Sequence, residues 1–163
     1  MGFWPDGYRC CVFLSFDYDA SSATLWRTPL DVVNQSRGVF APKVAIPRIL
    51  DMLDRHGIKA TFFTPGWTVD NYPDSMKEIL RRGHEVGAHG YQHERMTEIS
   101  HEAEGAAFER SMEALKRIGV KPEGYRAPYW LVGDRTIEHL KRLGFRYSSN
   151  FMDDDMPYML KYR

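Results

Sequence analysis

The sequence predicts an α/β fold built on a parallel sheet, with strands and helices alternating along 163 residues. Apolar residues recur at helical spacing in four segments, each segment closes at a glycine, and a short strand-like run follows each one. A helix that returns the chain to the next strand pairs the two strands in the same direction, so this repeat specifies parallel pairing. Five strands and four helices follow, which suit either an open sheet or the larger part of a barrel.

The first strand is expected at Cys10 to Phe16, a continuous apolar run of the kind buried on both faces in parallel sheets, and it ends at Asp17 and Asp19. From Ala20 to Lys43, residues Trp26, Arg27, Asn34, Arg37 and Phe40 occur without clear periodicity, so a long loop that lines or covers a site is expected. Ile46, Ile49, Leu50 and Leu53 then keep i, i+3, i+4, i+7 spacing, Gly57 stops that helix, and residues 58–63 (IKATFF) read as the second strand. Asp74 is expected to cap a helix carrying Met76, Ile79 and Leu80, which stops at Gly83 before a strand over His84 to Ala88. Ser100 is expected to cap a longer helix with Phe108, Met112 and Leu115 on one face, ending at Gly119. Asp134 opens the last helix, which turns Ile137 and Leu140 inward and ends at Gly144 before FRYSS.

Composition narrows the function classes. Lys plus Arg and Asp plus Glu balance at 22 each, leaving no basic field for nucleic acid and no polybasic segment for an anionic membrane. No apolar stretch approaches the roughly 18–20 residues that span a bilayer, and MGFWPD is not a signal peptide, so a cytoplasmic chain is expected. The two cysteines, Cys10 and Cys11, are neighbours in an apolar run and read as a buried pair, not as a disulfide framework.

In βα repeats, residues at the carboxyl ends of the strands converge on one face. Asp17, Asp19, His89 and His93 lie at or just past two such ends, and Arg126 to Tyr129 past a third. Zinc and related divalent ions accept imidazole nitrogen and carboxylate oxygen together, and a catalytic site keeps about three protein ligands with one open position for water. A pair of histidines four apart is weak evidence alone. Gly87 and Gly90 around His89 argue for a strand-to-loop turn, and Gly90 stands where a zincin-type protease needs glutamate. Asp17 and Asp19 point the same way if the strand extends through them, so one can ligate while the other takes a proton; the plainer alternative is a turn or helix cap. Arg126 is placed to set the charge and direction of a buried base, against the alternative of a surface arginine. His56, His84, His101 and His139 read as surface residues.

LSFDYDA, GAHGYQH and YRAPYW, in this order and at these intervals, resemble the early motifs of the polysaccharide deacetylases, the NodB homology domain of carbohydrate esterase family 4. SRGVFAPKVAIPRIL, FTPGW, GHEVGAHGYQHE and YSSNFMDDDMPY look like its cytoplasmic-type branch, which includes a Helicobacter peptidoglycan deacetylase and is related to the allantoinases. As in that branch, Tyr18 separates the two aspartates. The resemblance implies a partial (β/α) barrel in which Asp17 is the general base and Asp19, His89 and His93 hold a divalent metal, usually zinc. It further implies that Arg126 orients Asp17 and that the backbone N–H of Tyr129 helps to stabilise an oxyanion. The implied activity is metal-dependent hydrolysis of non-peptide carbon–nitrogen bonds, with N-deacetylation of a carbohydrate such as an N-acetylglucosamine-containing glycan or peptidoglycan foremost. Hydrolysis of a cyclic amide or imide is the alternative, with Arg27 or Arg37 as the cation for a small anionic substrate. A non-catalytic metal-binding fragment is the third reading. Trp26, Trp67 and Trp130 offer flat faces to a sugar ring and would serve equally as core. A full domain of this family carries further strands and a late histidine that protonates the leaving amine, so residues 1–163 read as a single N-terminal portion, truncated at the C-terminal side. Such a portion exposes a barrel seam, which self-association or a second chain would complete.

Overall fold

The computed structural model describes residues 4–25 and 31–161. Five strands form one parallel sheet: β1 (Ser15–Asp17), β2 (Thr61–Thr64), β3 (Glu85–Ala88), β4 (Gly124–Tyr125) and β5 (Tyr147–Ser148). Their spatial order is β1-β2-β3-β4-β5, the order of the chain. Every crossover therefore advances the same way with no reversal, which is barrel topology and decides against an open doubly wound sheet. The fold is the expected α/β partial barrel.

Among the described residues six α-helices connect the strands: α1 (Val32–Phe40), α2 (Ile46–His56), α3 (Gly66–Asn71), α4 (Pro73–Arg81), α5 (His101–Arg117) and α6 (Asp134–Leu143). The glycine stops act as expected. Gly57 and Gly144 close α2 and α6 with φ of 64° and 76°, and Gly83 and Gly119 take φ of 74° and 77° just past α4 and α5. Ser100 caps α5, its hydroxyl accepting from the Ala103 N–H at 3.2 Å. Asp74 is not a cap, because Tyr72 takes that position and Pro73 the first turn, where a missing N–H costs nothing.

The expected loop over Ala20 to Lys43 is partly helical. The Asp31 carboxylate accepts from the Asn34 N–H at 3.0 Å and starts α1, and a π-helical turn over Ala41–Ala45 carries the chain into α2. No apolar stripe announces α1, since Val32, Val33, Val39 and Phe40 are exposed.

The two faces of the sheet differ. Phe16, Phe62, Val86, Ala88 and Tyr125 pack against the helices in one core that includes Leu50, Met76, Ile79 and Leu115. Residues of the other parity form a polar inner face. There the Thr61 hydroxyl donates to Glu85 Oε2 at 2.5 Å and the Tyr147 hydroxyl to Glu85 Oε1 at 2.9 Å. The first strand was thus expected too long and too apolar. Leu14 still pairs with Thr61, but β2 offers no partner before that point, so Val12 and Phe13 are exposed and Cys10 and Cys11 are exposed free thiols. β1 and β5 form the two edges of the sheet. His84 and His139, read as surface residues, are buried, while His56 and His101 are exposed. Among the described residues no helix is long and apolar enough to cross a membrane.

Gly87 lets the inner face close. A Cβ there would lie 2.6 Å from the fully buried Phe63 ring and 3.2 Å from the Gly124 carbonyl oxygen. Gly87→Ala is expected to destabilise the chain by about 1–3 kcal/mol, the usual result of overpacking, read as a lower urea midpoint.

Candidate active site

The chain past β1 is held in place before it contributes anything chemical. The Tyr18 N–H donates to the Phe63 carbonyl at 2.8 Å, and the Asp19 carbonyl accepts from the Thr68 and Ser22 hydroxyls, each at 2.7 Å. This turns the Asp19 side chain into the mouth above the strands. His89 follows β3 directly and is 1% exposed. Its Nδ1 lies 2.7 Å from the Arg126 carbonyl, which can only accept, so Nδ1 carries the proton and Nε2 presents a lone pair. Gly90 turns the loop with φ of 71°, and the Glu94 carboxylate secures it by accepting from the Tyr91 N–H at 2.9 Å and the Gln92 N–H at 2.8 Å. His93 then enters the mouth with φ of 62°.

These three residues converge. His89 Nε2 is 3.4 Å from Asp19 Oδ1, and His93 Nε2 is 3.4 Å from Asp19 Oδ2. Asp19 Oδ1 is buried yet accepts no hydrogen bond, so the contacts leave its requirement unmet. A tetrahedral ion with bonds of about 2.0–2.1 Å sets its ligand atoms about 3.3–3.4 Å apart, which is the spacing of each imidazole nitrogen from the Asp19 carboxylate. The donor set and the orphaned oxygen both fit a divalent ion. Charge states agree: burial pushes the His93 imidazole down to about 4 against the pull of Asp19, so it is neutral near pH 7.

Arg126 lies on the inner face just past β4. Its Nη1 donates to Asp17 Oδ1 at 2.7 Å, and its Nη2 donates to the hydroxyls of Ser15 at 2.9 Å and Ser149 at 2.7 Å. The guanidinium sits 4.2 Å from the Phe63 ring centre and 6.0 Å from that of Trp130. Arg126 is therefore no surface arginine, and one Asp17 oxygen is fixed while the other remains for chemistry. Beyond it, Asn150 Oδ1 accepts from the Ala127 N–H at 2.7 Å and braces the loop. Tyr129 and Trp130 both have φ of 56°, and the Tyr129 ring stands edge-on to His93 at 4.6 Å. Ala20, His93, Tyr129 and Trp130 are the non-glycine residues with positive φ among those described, and all four border this mouth. Such conformations cost roughly 1–3 kcal/mol each and persist where the surroundings enforce them, most often at functional sites.

A cavity of about 380 Å³ opens beside the cluster, lined by Asp17, Tyr18, Asp19, Asn34, Arg37 and Ile46 among others. Arg37 is thus at the site, held by Asn34 Oδ1 at 3.2 Å. Trp130 is 49% exposed at the mouth. Trp67 is half-buried, packed against the core and edge-on to Tyr72. Trp26 and Arg27 lie outside the described residues. Ser15, Glu94, Ser149 and Asn150 were not anticipated, although the polar YSSN just past a strand was a signal that this end is not simply a turn.

A carboxylate and two imidazoles gathered around one point, beside a second carboxylate steered by a half-buried arginine, form a donor set and base of the kind that suits hydrolysis by an activated water. The comparison with known sequences makes that class specific: residues 9–148 match the polysaccharide deacetylases, and the chain belongs to that family. A peptidoglycan deacetylase of Helicobacter pylori is 39% identical over 128 residues, covering 77% of this chain and 44% of that protein. A peptidoglycan-N-acetylglucosamine deacetylase of Bacillus cereus is 34% identical over 84 residues, covering 51% of this chain and 30% of that protein. A crystal structure from Mycobacterium smegmatis, which bears the polysaccharide deacetylase name provisionally, superposes with a TM-score of 0.91 at 40% identity. That match covers 97% of this chain and 57% of that one. The matches thus cover between 30% and 57% of these relatives' own lengths.

The neutral state of His93 has a thermodynamic consequence. Its pKa falls from 6.5 to about 4 on folding, so between those values the unfolded chain binds the proton and the folded chain does not. Stability of the metal-free chain is expected to drop by on the order of 2–3 kcal/mol from pH 7 to pH 4, and His93→Gln should flatten that dependence in urea titrations.

Proposed function

We propose that this chain supplies the catalytic mouth of a metal-dependent hydrolase that removes N-acetyl groups from a carbohydrate, in a glycan or peptidoglycan built on N-acetylglucosamine. The supporting observation is the convergence of Asp19, His89 and His93 beside an Asp17 held by Arg126. Membership in the family, and the substrates named for the Helicobacter and Bacillus relatives, support the substrate class.

In this reading Asp19, His89 and His93 hold a divalent ion, with zinc the choice that a two-nitrogen, one-oxygen set favours. When bound, the ion supplies Lewis acidity that makes a water nucleophilic near neutral pH and polarises the acetyl carbonyl. Asp17 acts as the general base, taking the water proton on the oxygen that Arg126 leaves available. Arg126 fixes the direction of that carboxylate through a single charged hydrogen bond backed by Ser15 and Ser149. The Tyr129 backbone N–H donates to the oxyanion that forms as the carbonyl carbon becomes tetrahedral. The proton collected by Asp17 balances the departing amine, which leaves as the free amino sugar beside acetate. Trp130 supplies an exposed flat face at the mouth for a sugar ring.

Arg37 on the cavity wall is the feature that would suit a small anionic cyclic amide instead, and ring-opening assays separate the two substrate classes. The exposed edge of β1 supports a barrel completed by a further segment or a second chain. The exposed thiols of Cys10 and Cys11 support a reducing, cytoplasmic setting.

In the complete protein, Asp17→Asn is expected to keep its zinc and lose about 10²–10⁴-fold in deacetylation of N-acetylglucosamine oligomers. His89→Ala is expected to lose one equivalent of zinc together with turnover. Unchanged turnover in the first variant, or unchanged metal content in the second, would overturn the assignment.

A further inference from the structure

We propose that α5 and α6 carry a second divalent-cation site, of zinc type, formed by His101, Glu104 and His139. His101 and Glu104 stand three residues apart in the first turn of α5 and share a face, while His139 reaches them from α6. One ligand atom from each lies within 4.8 Å of the other two. Glu104 and His139 are buried, at 4% and 8% exposure, whereas His101 is exposed and gives an ion a way in. None of the three belongs to the Asp19 cluster.

Two buried groups in this pocket have unmet requirements in the metal-free chain. His139 Nε2 is buried and has no hydrogen-bond partner, although its ring is wedged between Phe108 and His101, with centroids at 5.1 Å and 5.5 Å. That nitrogen faces α5, 3.9 Å from where a Cβ on Gly105 would lie, so it is aimed at the helix that bears the other two donors. Glu104 is a buried acid that forms no ion pair with lysine or arginine among the described residues. Among the described residues its hydrogen-bond donor is the Thr136 hydroxyl, at 2.5 Å from Oε1. Buried carboxylates are paired or coordinate a metal, and a hydroxyl is a weak substitute for either. Thr136 Oγ1 in turn accepts from the Gly133 N–H at 3.1 Å, so the carboxylate is held by a fixed second layer, as ligating carboxylates are. Two imidazole nitrogens with one carboxylate oxygen form a borderline donor set that suits zinc better than calcium or magnesium.

Arg142 makes the proposal sharp. Its Nη2 lies 3.1 Å from His139 Nδ1 and can only donate, which places the proton of the neutral ring on Nε2. Binding an ion at Nε2 moves that proton to Nδ1 and displaces the exposed Arg142 side chain. Arginine therefore competes with the ion, and removing it should tighten binding.

Titration of the chain with Zn²⁺ alone, followed calorimetrically and repeated with Co²⁺ absorption, tests this. The unmodified chain is expected to bind one equivalent more than His139→Gln, and Arg142→Gln to bind that equivalent about tenfold more tightly. In a His89→Ala, His93→Ala variant that keeps its circular dichroism, one equivalent should persist and should disappear on adding His139→Gln. Equal stoichiometry in the unmodified chain and His139→Gln would overturn the proposal. So would weaker binding in Arg142→Gln. Because the stoichiometric difference is read in the unmodified chain, failure of the double histidine variant to fold leaves the test intact. Loss of the Asp19 cluster alone would remove the first equivalent and not this one.

Discussion

The guanidinium of Arg126 is the interaction on which this structure turns. It arises past β4 and binds Ser15 and Asp17 on β1, Ser149 past β5 and the Phe63 ring on β2. In a flat sheet β1 and β4 would lie three strand spacings apart, about 14 Å, roughly twice the span of an arginine side chain. The contact exists because the sheet is coiled, and it fixes how tightly. Gly87 and Gly124 permit that coiling, since a Cβ at either position would run into Phe63 or Tyr147 on the inner face.

Curvature in turn explains why the site is built at this end. The outer face is apolar and held by helices, so the inner face is free to be polar, and its upper rim brings together groups from strands far apart in sequence. Backbone strain gathers at the same rim, at Ala20, His93, Tyr129 and Trp130. The packed core beneath supplies the rigidity that holds them there, which separates the residues that give stability from those that give chemistry.

Much of this was legible in the sequence because it is written in local chemistry. A glycine with positive φ at the end of a helix leaves a signature that needs no tertiary knowledge, and Gly57, Gly83, Gly119 and Gly144 marked the βα repeat. That His89 and His93 would meet one of the two aspartates was legible because ligand chemistry restricts residue types, while the choice of Asp19 over Asp17 came from the family resemblance. The rest depends on what covers what. Cys10 to Leu14 is apolar but exposed at the edge of the sheet, and His84 and His139 are polar but lie under other elements. α1 carries its apolar residues outward and so lacks the periodicity that would reveal it. Ser15, Ser149 and Asn150 act only once the sheet has curled, and nothing about serine or asparagine in isolation foretells that.

The outer side of β1 has a practical corollary. Among the described residues no strand pairs with it there, and Val12 and Phe13 beside it are 83% and 58% exposed, with two free thiols just upstream. An edge of this kind is a template for any extended strand, including the same edge of another molecule. Once two such edges meet, adjacent thiols can lock the encounter covalently in air, turning a reversible contact into a permanent one. The colloidal behaviour of the isolated chain, its tolerance of concentration and its need for reductant, is therefore set by a few residues before Ser15 and has nothing to do with its catalytic mouth.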